Sequence, residues 1–424
     1  AEYNSHNWRA TLRQPVFRLD LWYRFQTAKR QRAEAAANFA AEQQELLVRV
    51  ADSYFTILEQ ESRLDASNAE RSAVQRQLEQ VQQRFDVGLV AITDVLESQA
   101  AFDSATVNVI EAEGGQSTSF ETLLRLTGRP HNAISGLAED FPVKYPDPAD
   151  EDAWVKAALS NNYSLKAAGE RLQVARRSLH AARSRYLPQI NADVSYSHNV
   201  SGGHRRDCTT ALNDPALNAS GSFVIPQLNR DGTPRLDSNG APLVDVVDLN
   251  DCSPTNPGLP GNSITPTTEA DLTVAQLSIS MPIFQGGALR AGSKQAKYNL
   301  DAAQKNFDLQ QRRTVETTKN LYLAVTTDVA RVKARKRGIE SSQSALDATQ
   351  TGYEVGTRNI VDVLLAQQRL YLSQFQYASA RYKYVRDTLR LKQAAGILNP
   401  DDLYDLNNYI NDELIVTRTR ASTR

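Results

Sequence analysis

Two periodicities divide this chain. Around residues 273–281 the apolar residues Ala275, Leu277, Ile279 and Met281 alternate with Gln276, Ser278 and Ser280, the period-two pattern of a strand with one wet face. Ile190, Ala192, Val194 and Tyr196 alternate in the same way with Asn191, Asp193, Ser195 and Ser197, and Trp8, Ala10 and Leu12 with Arg9, Thr11 and Arg13. Each run covers about nine or ten residues, the length at which a tilted strand crosses a bilayer with an apolar outer face and a polar lumen. A half-buried strand of a soluble sheet shares the pattern. Three such runs, each joined to a long helical segment through Pro15, Pro188 or Pro282, favour the membrane barrel.

Between the strands the chain reads as helix. No proline occurs between Pro15 and Pro130 or between Pro282 and Pro400, and Pro and Gly cost a helix interior roughly 3 and 1 kcal/mol. The stretch from Asp20 to Val87 holds neither. At about 1.5 Å per residue it predicts a helix on the order of 100 Å long, over three times the ~30 Å of bilayer hydrocarbon. It is too polar to span a membrane. Phe39, Leu46, Val50, Tyr54 and Ile57 form a narrow stripe with alanines between, the expected seam of a coiled coil.

The pattern is stated twice. Phe85-Asp86-Val87-Gly88-Leu89-Val90-Ala91-Ile92-Thr93-Asp94-Val95-Leu96 returns 268 residues later as Tyr353-Glu354-Val355-Gly356-Thr357-Arg358-Asn359-Ile360-Val361-Asp362-Val363-Leu364. Pro15-Val16-Phe17 matches Pro282-Ile283-Phe284, Tyr54 matches Tyr322, and Gly128 matches Gly396. A repeat this long is a duplicated structural unit, so two-fold pseudo-symmetry is expected. The expected organisation is a strand in 1–18, long helices in 19–128, a Pro-rich linker in 129–150, a helix in 151–187 and a strand in 188–198. A loop in 199–272, a strand in 273–287, the second long helices in 288–396 and a tail in 397–424 complete it.

Composition narrows the function. A net charge of −1 leaves no electrostatic footprint for nucleic acid, and a mean hydropathy of −0.47 excludes a bundle of membrane helices. The loop 199–272 is rich in Gly, Pro, Asn and Asp and holds both cysteines, Cys208 and Cys252. If the strands cross an outer membrane, this loop faces an oxidising exterior and the pair reads as a disulfide; two free thiols are the alternative. Asp231, Asp237, Asp245, Asp248 and Asp251 do not follow the twelve-position calcium pattern and read as solvated loop. The five histidines are scattered, with no H-E-x-x-H, G-x-S-x-G, phosphate-binding glycine loop or cysteine cluster, so no catalysis, metal or cofactor is expected.

The runs 84–95 and 355–364, the strand entry Leu187-Pro188-Gln189-Ile190 and the strand exit Pro282-Ile283-Phe284-Gln285-Gly286-Gly287 together resemble the TolC family of outer-membrane efflux and secretion ducts of Gram-negative bacteria. The similarity covers nearly all the chain outside the long loop. It implies a mainly α fold with a β-barrel: a homotrimer sharing one twelve-stranded barrel in the outer membrane, continued by a periplasmic α-helical barrel. Residues 129–150 and the tail after Pro400 would form a small equatorial region. The implied cargo is drugs, small molecules or unfolded proteins. The implied partners are outer-membrane lipid, a periplasmic adaptor protein, and an inner-membrane efflux pump or ABC exporter.

By the same resemblance the repeated motif is a helical hairpin turn at the periplasmic tip, and Gly88, Leu89, Gly356 and Thr357 would be adaptor-docking tips. Side chains matching Gln83, Thr93 and Asp94 in the family bond those matching Tyr353 and Arg358 and hold the entrance shut, and one matching Asp362 forms a pore ring by three-fold symmetry. Read locally, Gly88 and Gly356 suit left-handed helix ends, Asp94 and Asp362 suit N-caps, and Arg358 suits a solvated charge. Leu365 stands where the family pattern has a second ring aspartate, so a less acidic entrance is expected. Three visible strands fall short of the even number a shared antiparallel barrel needs, so a helix and a strand are expected upstream of Ala1. The competing class, a soluble antiparallel coiled-coil scaffold or adhesin, accounts for the helices and leaves the strands unexplained.

Overall fold

The computed structural model describes residues 2–206, 222–248, 263–264 and 268–419. In chain order the elements are β1 (Glu2–Phe17), α1 (Leu19–Asp86), α2 (Ile92–Thr127), β2 (Ala133–Leu137), α3 (Glu151–Asn161), α4 (Tyr163–Ser184), β3 (Gln189–Arg206) and β4 (Ser222–Pro226). There follow β5 (Val244–Asp248), β6 (Ser263–Ile264), β7 (Thr268–Ser280), α5 (Ala288–Glu354), α6 (Ile360–Ala394), α7 (Pro400–Asn407) and β8 (Ile410–Thr417). They form two units, residues 1–21 with 184–286 and residues 22–183 with 287–424.

In the first unit β3 lies between β1 and β7, antiparallel to both. Leu12 pairs with Val194 and Ala10 with Tyr196, while Ala192 pairs with Leu277 and Ile190 with Ile279. Paired residues share a face and neighbours along a strand alternate. The register therefore gathers Trp8, Ala10, Leu12, Ile190, Val194, Tyr196, Leu277 and Ile279 on one side. Arg13 bonds Asp193 at 2.6 Å on the other, beside Thr11, Asn191 and Ser278. β1 falls within its expected span, with a register shift between Pro15 and Phe17, whereas β3 continues to Arg206 and β7 starts at Thr268 and stops at Ser280. Pro282 has no N–H to extend the ladder.

The described residues of the expected loop include paired strands. β4 pairs with β5, and β6 pairs with the end of β3. Between β4 and β5 the chain makes two small hairpins, closed by the bridges Leu228–Pro234 and Leu236–Pro242. Three backbone bonds tie their bases into a ring: Gln227 N–H to the Leu243 carbonyl at 2.8 Å, Leu243 N–H to Arg235 at 2.7 Å, and Arg235 N–H to Gln227 at 2.7 Å. Asp231 accepts from the hydroxyl and amide of Thr233, and Asp237 from the amides of Asn239 and Ala241. These donors hold both carboxyls below their usual range and occupy them as turn acceptors. Asp245 and Asp248 fall in β5. Cys208, Cys252 and Asp251 lie outside the described residues.

The second unit follows the repeat. The 68 residues of α1 and 67 of α5 each end in a hairpin turn, and the 36 residues of α2 and 35 of α6 run back. The buried seam of α1 steps through Gln44, Val48, Ala51, Phe55 and Leu58, alternating four and three residues as a coiled-coil face does. It packs with Phe120 of α2, Val325 of α5 and Val385 and Leu389 of α6. The expected stripe was displaced: Tyr54 and Ile57 join this core, whereas Phe39 is 65% and Leu46 46% exposed and Val50 is half-buried. Side-chain size misleads here, because a small Ala51 and a polar Gln44 hold seam positions, the latter donating to the Leu398 carbonyl at 2.6 Å.

Ion pairs flank the seam. Arg386 reaches Glu59 at 2.8 Å and Arg390 reaches Asp52 at 2.5 Å, tying α6 to α1. Lys383 bridges Asp387 and Asp328; burial pushes the Asp328 carboxyl up, with the Lys383 charge opposing. At one level the linker and tail meet as β2 pairs with β8, and the Tyr54 hydroxyl donates to the Ser135 carbonyl at 2.5 Å.

The single helix expected over 151–187 is two. Asn162 interrupts it, its Oδ1 accepting from Leu165 N–H at 2.9 Å and its Nδ2 donating to the Ala394 carbonyl at 3.0 Å. The break lets the end of α6 pass close. Gly396 has φ +72°, and a Cβ there would lie 2.4 Å from the Asn161 carbonyl carbon. Its repeat counterpart Gly128 has φ +68° and open space around that position. Gly128→Ala should therefore cost only the left-handed strain of about 1–2 kcal/mol, and Gly396→Ala clearly more, in thermal unfolding. Equal losses would contradict the close approach.

Candidate functional site

The two hairpin tips close by the same backbone device. Gly88 N–H donates to the Phe85 carbonyl and Leu89 N–H to Arg84, both at 2.8 Å; Gly356 N–H donates to Tyr353 at 3.1 Å and Thr357 N–H to Gly352 at 2.8 Å. These are paired Schellman closures, which need a left-handed residue just past the helix. Gly88 and Gly356 supply it with φ of 76° and 77°. The tips leave apolar side chains in solvent, with Val87 69%, Leu89 74% and Val355 69% exposed.

The returning helices correct the expected caps. At α6 the N-cap is Asn359, whose Oδ1 accepts from Asp362 N–H at 2.8 Å. At α2 it is Ala91, with no side-chain cap. Asp94 and Asp362 thus sit inside the first turn, where a carboxylate faces the positive end of the helix. Thr93 Oγ1 donates to Asp94 at 3.4 Å.

Between the hairpins lies an apolar floor of buried Val81, Val95, Leu346, Ile360 and Val363. Tyr353 packs against it, and its hydroxyl is buried without a hydrogen-bond partner. The Arg84 guanidinium lies over the Tyr353 ring, 5.2 Å from its centre. Arg358 turns to the first turn of α6, 3.7 Å from Asp362, rather than to Thr93 or Asp94. Among the described residues no hydrogen bond or ion pair within the chain joins Gln83, Thr93 or Asp94 to Tyr353 or Arg358. Gln83 is exposed, and Leu365, one turn beyond Asp362, is 44% exposed.

Sequence reasoning missed Arg84. The signal was a break in the repeat, since the residue matching Arg84 is Gly352. That glycine is needed too, because a Cβ there would lie 2.8 Å from Cγ of Arg358.

The cap assignment has a direct test. Asn359→Ala should cost about 1 kcal/mol of stability, read by thermal unfolding, while Asp362→Asn should leave the cap intact because only its backbone N–H takes part.

Comparisons with known proteins fit this geometry. The family model described as outer membrane efflux protein matches residues 1–129 and 259–397. The outer membrane protein TolC of Vibrio cholerae is 30% identical over 394 residues, 93% of this chain and 77% of that protein. The alkaline protease secretion protein AprF of Pseudomonas aeruginosa is 25% identical over 425 residues, 100% of this chain and 76% of that protein. In fold, the crystal structure of the outer membrane protein VceC from Vibrio cholerae superposes with a TM-score of 0.67 at 14% identity, covering 93% of this chain and 87% of that one. A chain matched by the family model over both repeats, and by relatives along almost its whole length, belongs to the outer membrane efflux proteins, exit ducts of the Gram-negative outer membrane serving efflux or type I secretion.

Proposed function

We propose that this duct works as a homotrimer: three copies close into one twelve-stranded barrel with four strands from each, of which β1, β3 and β7 are three, and the long helices line a periplasmic passage entered at the hairpin tips. The one-sided sheet carries this reading. Its apolar face leaves Leu12 65%, Leu277 65% and Ile279 68% exposed, which suits lipid and would be a liability in water. A soluble scaffold or adhesin has no use for such a face. No helix among the described residues is long and apolar enough to cross a membrane.

At the entrance, Gln83, Thr93 and Asp94 are proposed to meet Tyr353 and Arg358 of a neighbouring copy. The Tyr353 hydroxyl finds no hydrogen-bond partner within the chain among the described residues, and leaving such a group unpaired costs roughly 1–3 kcal/mol. Asp362 would form the pore ring, with Leu365 making it less acidic. The exposed tips Leu89 and Val355, with Gly88, Gly356 and Thr357, would receive the periplasmic adaptor of an inner-membrane pump or ABC exporter. Transport through the duct is passive, and no residue is assigned a catalytic role. The secretion named for AprF makes an unfolded protein a cargo class beside small molecules and drugs.

Planar-bilayer recording tests the entrance. Arg358→Ala should raise single-channel conductance, whereas Asp362→Asn should leave it nearly unchanged and weaken cation selectivity, since it removes charge and little volume. The reverse assignment of effects would exchange the two roles. For the barrel, Val194→Arg should cost about 2–4 kcal/mol if the residue sits at mid-membrane, and Asn191→Arg much less. A protein that light scattering finds monomeric and soluble without detergent would sink the reading.

A further inference from the structure

We propose that Arg84 is a positioning residue of the entrance, which couples the first hairpin tip to the second within one chain by stacking on the ring of Tyr353. This rests on the gate reading of Tyr353 given above. The contact is the only polar side-chain link between the two tips among the described residues: the guanidinium lies 5.2 Å from the ring centre, and no hydrogen bond or ion pair joins the tips there. Arg84 is half-buried and has no carboxylate partner among the described residues. The nearest acid in sequence, Asp86, accepts instead from Gln82 at 3.0 Å.

A planar cation over an aromatic face is held by the ring's quadrupole, and the hydroxyl plays no part in it. Arg84 therefore fixes where the ring sits and leaves the buried hydroxyl available. The same residue is built into the first tip, because its carbonyl accepts the Leu89 N–H that closes the turn. A displacement of the exposed Leu89 tip moves Arg84, and through the stack it moves Tyr353. The link is one-way in the repeat. Gly352 stands at the matching position and has no side chain to stack on Phe85, so each chain has one such coupling. The apolar floor that includes Val81, Val95, Ile360 and Val363 also packs against Tyr353.

The test separates ring-face attraction from plain packing. Residue 353 is replaced by phenylalanine and then by phenylalanines carrying one, two and three fluorines, which weaken the ring's hold on a cation stepwise with little change of volume. In planar bilayers, counted from the phenylalanine variant, conductance should rise with each added fluorine when Arg84 is present and stay flat in Arg84→Ala. Arg84→Ala itself should raise conductance several-fold in the parent, and Arg84→Lys should restore part of the closure. A flat series with Arg84 present, or an equal rise in Arg84→Ala, overturns the proposal. A second readout needs no conduction: spin labels at Leu89 and Thr357 in the detergent-solubilised protein should give a broader distance distribution in Arg84→Ala, and an unchanged distribution also overturns it. If neither parent nor variants conduct, the gate reading fails, while the label distances still decide whether Arg84 couples the tips.

Discussion

A helix of 68 residues cannot bury a core of its own, and everything in the second unit depends on how that constraint is met. One helix offers only a narrow apolar stripe, so its stability comes from neighbours laid along it. α1 meets α6 through Val48, Ala51, Phe55 and Leu58, and the flanking pairs Arg386–Glu59 and Arg390–Asp52 fix which stretches face each other. Arg386–Glu59 is largely buried and Arg390–Asp52 partly exposed, and an exposed pair adds little energy by itself. Their value is in register, since a slide of one turn would separate every charge from its partner.

The sheet meets the opposite constraint. β1, β3 and β7 satisfy one another's backbone in the middle, but the outer edges of β1 and β7 have no strand partner among the described residues. An open edge beside an apolar face cannot persist in lipid, where no water replaces a missing hydrogen bond. That requirement is the physical reason a closed assembly of several copies fits this chain better than a lone sheet.

The repeat preserves backbone more faithfully than side chains. Both tips close with the same pair of hydrogen bonds around a left-handed glycine, because the turn has few other solutions. The copies then diverge where chemistry is placed: Arg84 against Gly352, Ala91 against the capping Asn359, Asp94 bonded by Thr93 against Asp362 facing Arg358. Duplication supplied the scaffold, and its broken symmetry supplied two unlike tips.

Alternation, proline position and the long repeat were enough to read β1, β3, β7 and the long helices from sequence, because each is a local rule repeated many times; the hairpin turns came from the family resemblance carried by the repeated motif. Gly88 and Gly356 were legible locally, as a left-handed turn selects glycine. What sequence could not settle was every choice that depends on a partner distant along the chain. Seam register was one: Phe39 looks like core and is exposed, while Ala51 and Gln44 are buried by their neighbours on other helices. The break at Asn162 was another, where Gly396 passes close by. Asp362 looked like a cap until Asn359 took that role, and Arg84 met Tyr353 only once two hairpins 268 residues apart were laid side by side. Local backbone preference is written in neighbouring residues, whereas packing and polar pairing are decided by which surfaces the fold brings together.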